Sequence, residues 1–460
     1  MIDLQSFGSL LRAYRLRAGM TQDELAETSG VSTRTISLLE TGKRDRPRLA
    51  SARLLAEAFG LATEERATFL GTTTSHTVGH RGHSHAPTAA TCGSFLPRDV
   101  PDFVGRSVEL RRLLRSVPAG RDESVRVTTV DGMAGVGKTA FAIHAAHALA
   151  DRYPDGQVYV DMRGFTPGRD PVEPVSALES LLYMVGGPPW RIPPTLDERS
   201  AAWRAALAGR RVLVVLDNAN DPDQVHPLLP GTPGSHVIVT SRRRMPSVDA
   251  SVPVSLDVLE QGDAITLFVE VAGYHRVRGQ LDVVADIVQL CGFLPLAVRT
   301  AAAKLLHRPG WTVEWLADQL REQDRRLSEL SVNGTVGVAG AFSLSCRQLD
   351  AEQLRLFTLL GTYPGADFDA HSAAALADVL PRVAESLLED LVDHHLLIQP
   401  VAGRYMFHDL LRDHARALAT ELRSPDEEAG TCAPAARTGV RATCSGDGSW
   451  SPSKSGHTAR

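Results

Sequence analysis

The chain has 460 residues, 43% of them hydrophobic, enough for several cores and a soft indication of three or four domains. A formal net charge of −5 and a pI near 6.4 exclude a generally basic nucleic-acid coat while leaving room for a local DNA-binding face. The five cysteines, Cys92, Cys291, Cys346, Cys432 and Cys444, are scattered without a C-x-x-C pair, which argues against a disulfide framework or a zinc site.

That cysteine usage suits a reducing cytoplasm. The start, Met1 to Gln5, lacks the basic-then-apolar layout of a signal peptide, and no apolar run reaches membrane-spanning length. A cytoplasmic protein without a membrane partner is expected. Phe7, Leu10, Leu11 and Tyr14 fall at helical spacing, and Gly19 is placed to end that helix. Thr21 and Glu24 then form a capping box, each side chain reaching the other's backbone amide. Leu25 and Ala26 supply an apolar face, Gly30 stops the helix and Val31 is a buried turn residue. Ser32 caps a further helix that turns Ile36 and Leu39 inward and Thr33, Arg34, Ser37 and Leu38 outward.

Helix, tight glycine turn, helix is the helix-turn-helix arrangement. Over Phe7 to Leu61 it resembles the phage-repressor (XRE) type, on Met20 to Ala26, Gly30 to Ser37 and Leu39 to Gly42. The resemblance implies that Gln22 and Ser32 touch phosphates or base edges of double-stranded DNA. It also implies that Thr33, Arg34 and Ser37 face the major groove, where arginine can grip guanine bidentately. Lys43, Arg44, Arg46 and Arg48 make the next loop a basic phosphate clamp. The other reading of residues 1–70 is a small helical domain used only for protein contacts.

Residues 71–98 change character to Thr, Ser, Gly and Ala, with His76, His80, His83 and His85 clustered. Four close histidines raise a metal site, but no cysteine partner or helical frame fixes their geometry. A flexible linker is expected.

Structure returns at Pro101 to Leu110, and residues 99–250 read as alternating strands and helices. The β-branched run Val125 to Val130 leads into Gly132-Met133-Ala134-Gly135-Val136-Gly137-Lys138-Thr139, which matches G-x-x-x-x-G-K-[ST] at every fixed position. A helix-like segment, Ala140 to Ala150, follows. Strand, glycine loop and helix together make a phosphate cradle: backbone N–H groups from Gly132 through Gly135, Val136 and Gly137 turn inward, and the helix adds its positive end. Lys138 would reach the β- and γ-phosphates of ATP or ADP, and the Thr139 hydroxyl would sit on Mg²⁺. Only four lysines occur in the chain (Lys43, Lys138, Lys304, Lys454), which makes a lysine at this position more telling.

A second strand begins at Gln157, and helices are expected over Val175 to Val185 and Glu198 to Ala208. The unbroken apolar run Arg211 to Leu216 reads as a buried parallel strand that delivers Asp217, a Mg²⁺-holding aspartate, to the sheet's C-terminal edge. Another strand, His236 to Ser241, ends at Arg242, a cation able to tell ATP from ADP at the γ-phosphate. The sheet is expected to be parallel, with its ligand at the C-terminal edge.

From Leu256 the pattern turns helical, with Gly292 closing one helix and Pro295 opening the next. Residues 336–421 read as helices followed by a hairpin around Ala402 and Gly403, the outline of a winged-helix domain. The tail, 422–460, is rich in small polar residues and is expected to be disordered. No period of 20 to 50 residues is visible.

Taken together, Phe103-Val104-Gly105-Arg106, the glycine loop, Asp217, Gly292 to Ala297 and Met406 to Asp409 resemble the STAND and NB-ARC families in motif and order. Phe293 departs from the family's Gly-Leu-Pro-Leu-Ala. The resemblance implies that Phe103 to Arg106 lie along adenine and ribose, that Pro295 packs near the adenine, and that His408 contacts the ADP β-phosphate. It also implies a helical domain over 251–335, a switch between a closed ADP form and a self-associating ATP form, and an unidentified signal or partner protein. Asn218 stands where many relatives carry a second acid. Asparagine is a poor base, so hydrolysis is expected to be slow. An ATPase whose purpose is turnover, and a signalling scaffold whose head binds protein, are the alternatives.

Overall fold

A computed structural model of the chain describes residues 20–40, 49–59, 93–117, 125–186, 192–250, 252–331 and 337–430, together with Phe7, Leu11, Tyr14 and Arg15. The histidine cluster at 76–85, the basic loop with Lys43, Arg44, Arg46 and Arg48, and residues 431–460 lie outside them. The chain forms two compact units, Met1–Thr88 and Ala89–Arg460.

In the first unit, α1 (Gln22–Ser29), α2 (Thr33–Glu40) and α3 (Leu49–Ala58) close on Phe7, Leu11, Leu25, Val31, Ile36, Leu39 and Leu55. The expected capping box is formed both ways, Glu24 N donating to Thr21 Oγ1 at 3.2 Å and Thr21 N to Glu24 Oε2 at 2.7 Å. Gly30 ends α1 in the left-handed region, at φ +69°, which glycine adopts without the Cβ clash of other residues. Arg15, 9% exposed, grips the Glu40 carboxylate with two bonds of 2.7 and 2.9 Å and so ties the segment before α1 to the end of α2.

The second unit begins with α4 (Ser107–Ser116), β1 (Arg126–Asp131), α5 (Lys138–Leu149), β2 (Gln157–Asp161), α6 (Pro174–Met184) and α7 (Leu196–Leu207). β3 (Leu213–Ala219), β4 (His236–Ser241) and β5 (Val252–Ser255) complete a parallel sheet of order β2-β3-β4-β1-β5. Both faces are covered, as the unbroken apolar runs required. Leu213 and Val215 join one core with Phe141 of α5, while Val214 and Leu216 join the other with Leu178 of α6 and Trp203 of α7. β5, which carries Pro253, was not among the expected strands. It lies at the sheet edge, where a missing N–H is tolerated.

Then come α8 (Gln261–Ala272), α9 (Leu281–Leu290), α10 (Pro295–His307), α11 (Val313–Arg321) and α12 (Gln323–Glu329). Gly292 and Pro295 close and open helices as read from the sequence. Beyond them lie α13 (Val338–Cys346), α14 (Ala351–Gly361), β6 (Asp367–Phe368), α15 (Ala370–Ala377), α16 (Pro381–Asp393), β7 (Ile398–Val401), β8 (Arg404–Met406) and α17 (Asp409–Gly430). The expected hairpin is β7–β8, and the unforeseen two-residue β6 makes it an antiparallel sheet of order β6-β8-β7. α17 runs to Gly430, past the point where composition alone placed the start of a disordered tail. One apolar cluster extends from Leu113 of α4 through the sheet and α8–α11 to Ala415 of α17, so these segments share a core. Among the described residues no helix is long and apolar enough to cross a membrane.

Candidate nucleotide site

The buried strand β1 drives the chain into a loop that only glycine can follow at two points. Gly132 has φ +146°, and a Cβ there would fall 2.5 Å from Leu256 O. Gly135 has φ +84°, and its Cβ would come within 2.9 Å of Leu296 Cβ. α5 then starts at Lys138, whose ammonium curls back to the loop carbonyls, 2.7 Å from Gly132 O and 2.9 Å from Met133 O. Leu296 N donates to Gly135 O at 3.1 Å, so the start of α10 is stitched to the glycine loop. Arg106 adds a second stitch, donating to Val136 O at 3.3 Å, to Val258 O at 3.4 Å and to Asp257 O.

Behind Lys138, three hydroxyls converge on the buried Asp217 carboxylate. Thr139 Oγ1 donates at 2.9 Å to Oδ1, Thr240 Oγ1 at 2.6 Å to Oδ1, and Tyr159 OH at 2.9 Å to Oδ2. Burial pushes Asp217 above the usual carboxylate range, and the bonds from Thr240, Thr139 and Tyr159 pull it back. Arg242 lies with its guanidinium 4.7 Å above the Phe165 ring and donates to Ala341 O at 2.6 Å and Ser345 Oγ at 3.2 Å on α13. Burial brings Arg242 down to about 10. Burial, and then the charge of Arg242, bring Lys138 down to about 7. Two desolvated cations at one end of a cavity suit an anion, and a hydroxyl beside a carboxylate is a hard-oxygen set that suits Mg²⁺. Thr139 and Asp217 could thus hold a divalent cation, and the loop could hold phosphates.

The cavity has a volume of about 590 Å³, in the range of small-molecule sites. Lys138, Thr139, Asp161, Asp217, Asn218, Thr240, Ser241 and Arg242 line its polar end. Phe103, Val104, Ile143, Leu259, Leu267, Pro295 and Leu296 supply an apolar end able to take a base. Phe103 stacks on His144 with ring centroids 4.2 Å apart, and His144 Nδ1 lies 3.1 Å from Asp99 Oδ2.

Phe103, Val104, Arg106, Gly135, Val136, Gly137, Lys138, Thr139, Asp217, Arg242 and Pro295 thus meet around one cavity. Gly132 and Gly105 do not line it. A Cβ on Gly105 would strike Asp263 Oδ2 at 2.5 Å, so its place is set by close packing. His408, expected at the β-phosphate, is also away from the lining. Its Nδ1 accepts from Leu410 N at 3.3 Å, leaving the Nε2 proton for Gly292 O at 2.9 Å. Sequence reading missed Tyr159, Asp161, Thr240 and His395, whose Nε2 is 2.9 Å from Asp131 Oδ1 at the base of the loop. Asp161 had a signal: like Asp217 it follows an apolar run, Val158 to Val160.

In the first unit, Arg34 is exposed on α2 and has no hydrogen bond or ion pair among the described residues. Ser32 Oγ and Thr35 Oγ1 share a bond of 2.9 Å, and Thr33 Oγ1 donates to Asp23 Oδ1 at 3.0 Å. Gln22 is half-buried, and its amide donates to Glu40 Oε2 at 2.7 Å. Ser37 is half-buried on α2, while Lys43 and Arg44 fall outside the described residues.

A helix-turn-helix head and a parallel-sheet P-loop fold carrying a Lys–Thr–Asp constellation define the class of this chain. Residues 6–69 match the family described as a helix-turn-helix domain. The chain is 44% identical over 330 residues to regulatory protein AfsR of Streptomyces griseus, which covers 72% of this chain and 34% of that one. The chain thus spans about a third of that relative's length. It is also 44% identical over 61 residues to the HTH-type transcriptional repressor RghR of Bacillus subtilis, covering 13% of this chain and 45% of that one. A Walker-type ATPase of Pyrococcus abyssi superposes with a TM-score of 0.49 at 12% identity, over 69% of this chain and 97% of that one. The protein joins a helix-turn-helix domain to a parallel-sheet P-loop segment that is similar to part of AfsR.

Proposed function

We propose that the protein is a DNA-binding transcriptional regulator switched by exchange of ADP for ATP, with slow hydrolysis. One observation carries this reading: Arg242 stands at the phosphate end of the cavity and at the same time holds α13 through Ala341 and Ser345. A γ-phosphate would compete for that guanidinium, so ATP and ADP would differ in their hold on the C-terminal segment. Such differential contacts are what a ligand-driven shift needs. The segment makes further ties to the sheet, Arg244 N to Asp393 O at 3.0 Å, Gln348 to Gly164 O at 3.2 Å, and His395 beside Asp131. Helices α13–α16 with the β6-β8-β7 sheet support a winged-helix reading of that segment. Bound Mg²⁺, held by Thr139 and Asp217, would neutralise phosphate charge. His408 would keep the helical and C-terminal segments together through Gly292.

Release of these ties would favour self-association, and two heads bind two half-sites far better than one. The relatives' printed names, a regulatory protein and a transcriptional repressor, agree with a DNA-binding head. The test is to select duplexes from a random pool with the ATP-loaded chain, then compare affinities of ATP- and ADP-loaded protein. Tighter binding with ATP is expected, and loss of retention in an Arg34→Ala, Arg44→Ala double variant. Equal affinities would remove the switch. Unchanged retention in the double variant would turn the head into a protein-binding module.

A further inference from the structure

β2 and β3 run side by side, and their pairing sets Asp161, the last residue of β2, opposite Asp217, two residues before the end of β3. Both carboxylates line the phosphate end of the cavity. Their surroundings give them different chemistry. Asp217 is 4% exposed and accepts from Thr139, Tyr159 and Thr240, so its oxygens are committed to donors or to a metal. Asn218, standing where many members of the families the chain resembles carry an acid, has an amide that cannot take a proton at neutral pH. Its side chain also turns away from that role, with Nδ2 3.4 Å from Asp161 Oδ1 and 3.3 Å from Thr166 Oγ1. Asp161 is exposed, and its Oδ1 accepts from Arg163 N at 2.9 Å as well as from Asn218. Its Oδ2 has no hydrogen-bond partner among the described residues. One oxygen is oriented and the other is presented.

We infer that Asp161, at the end of β2, is the general base for ATP hydrolysis in this chain, replacing the acid missing at Asn218. The inference rests on the reading that ATP fills the cavity. In the step, Asp161 Oδ2 accepts a proton from a water whose oxygen bonds to the γ-phosphorus. The bond from that phosphorus to the β,γ-bridging oxygen breaks, and its electron pair leaves with ADP. Asp161 then gives the proton to solvent, which its exposed position allows, leaving ADP, phosphate and a proton from ATP and water. Asn218 and the Arg163 amide serve as positioning groups by fixing Oδ1. A base open to solvent and reaching through one water suits slow turnover.

The test uses the full chain with Mg²⁺ and compares wild type, Asp161→Asn and Asp161→Glu. Affinity for a fluorescent ATP analogue is measured apart from turnover. Asp161→Asn should bind the analogue as wild type does and release phosphate at least about 100-fold more slowly, the usual worth of a general base. Nucleotide extracted from the purified proteins gives a readout independent of assay conditions: ADP from wild type, ATP from Asp161→Asn. Asp161→Glu should recover part of the rate, which separates loss of the carboxylate from loss of the fold. An Asp161→Asn protein that turns over like wild type and yields ADP would overturn the assignment. So would a wild-type chain that binds ATP and never cleaves it. A wild-type chain with no affinity for nucleotide would remove the underlying reading as well.

Discussion

Acid should loosen the C-terminal segment through His414. This residue of α17 is 5% exposed, its Nε2 has no hydrogen-bond partner among the described residues, and its ring sits 5.8 Å from that of Phe342 on α13. Burial brings its pKa from 6.5 down to about 4. The folded state therefore holds His414 neutral, while the unfolded chain takes up a proton below about pH 6.5. The stability that this neutral form contributes is fully present above that value and is lost as pH falls towards the folded value. Each pKa unit is worth about 1.36 kcal/mol, so moving from pH 7.5 to pH 5 should cost about 2 kcal/mol at this one site. Urea denaturation at both pH values, in wild type and His414→Leu, measures it. His408, His395 and His394 are also depressed by burial and act in the same direction, so the variant keeps part of the slope. The difference between the two slopes is the quantity read. A variant whose pH dependence equals that of wild type would refute the reasoning.

Gly292→Ala places a Cβ 2.4 Å from His408 Cε1 at φ +59°, so it should cost at least about 2 kcal/mol and lower the melting temperature by about 4 °C or more. An unchanged calorimetric midpoint would mean that His408 does not pack there. Glu40→Ala leaves the buried Arg15 guanidinium without its carboxylate, a loss of about 3 kcal/mol. Hydrogen exchange across residues 22–40 should speed up about 100-fold at that cost, and wild-type protection in the variant would contradict the pairing. Gly135→Ala would force a strained φ of +84° against Leu296, so affinity for fluorescent ADP should fall at least about tenfold. Retained affinity would show that the loop can move away from α10.

The skeleton of the candidate site was legible because it is local. Glycine spacing, a following lysine and threonine, and an apolar run ending in Asp217 are all patterns within a few residues of one another. The capping box at Thr21 and the stop at Gly30 were legible for the same reason. What stayed hidden depends on contacts distant in sequence. Arg242 finds its acceptors about a hundred residues later on α13, and His395 meets Asp131 from the far end of the chain. The bond from Gln22 to Glu40 joins two helices at a spacing no periodicity marks. β5 carries Pro253, a residue that its edge position makes acceptable. Asp161 follows an apolar run as Asp217 does, but only the register of β2 on β3 places the two carboxylates at one cavity.

The most direct measurement is to purify the full chain, denature it and identify the released nucleotide by chromatography, with Lys138→Ala alongside. Near-stoichiometric ADP from wild type, and none from the variant whose ammonium no longer closes the loop, is the expected result. A well-folded wild-type protein that releases no nucleotide, or a Lys138→Ala protein that releases as much as wild type, would contradict a nucleotide-held switch.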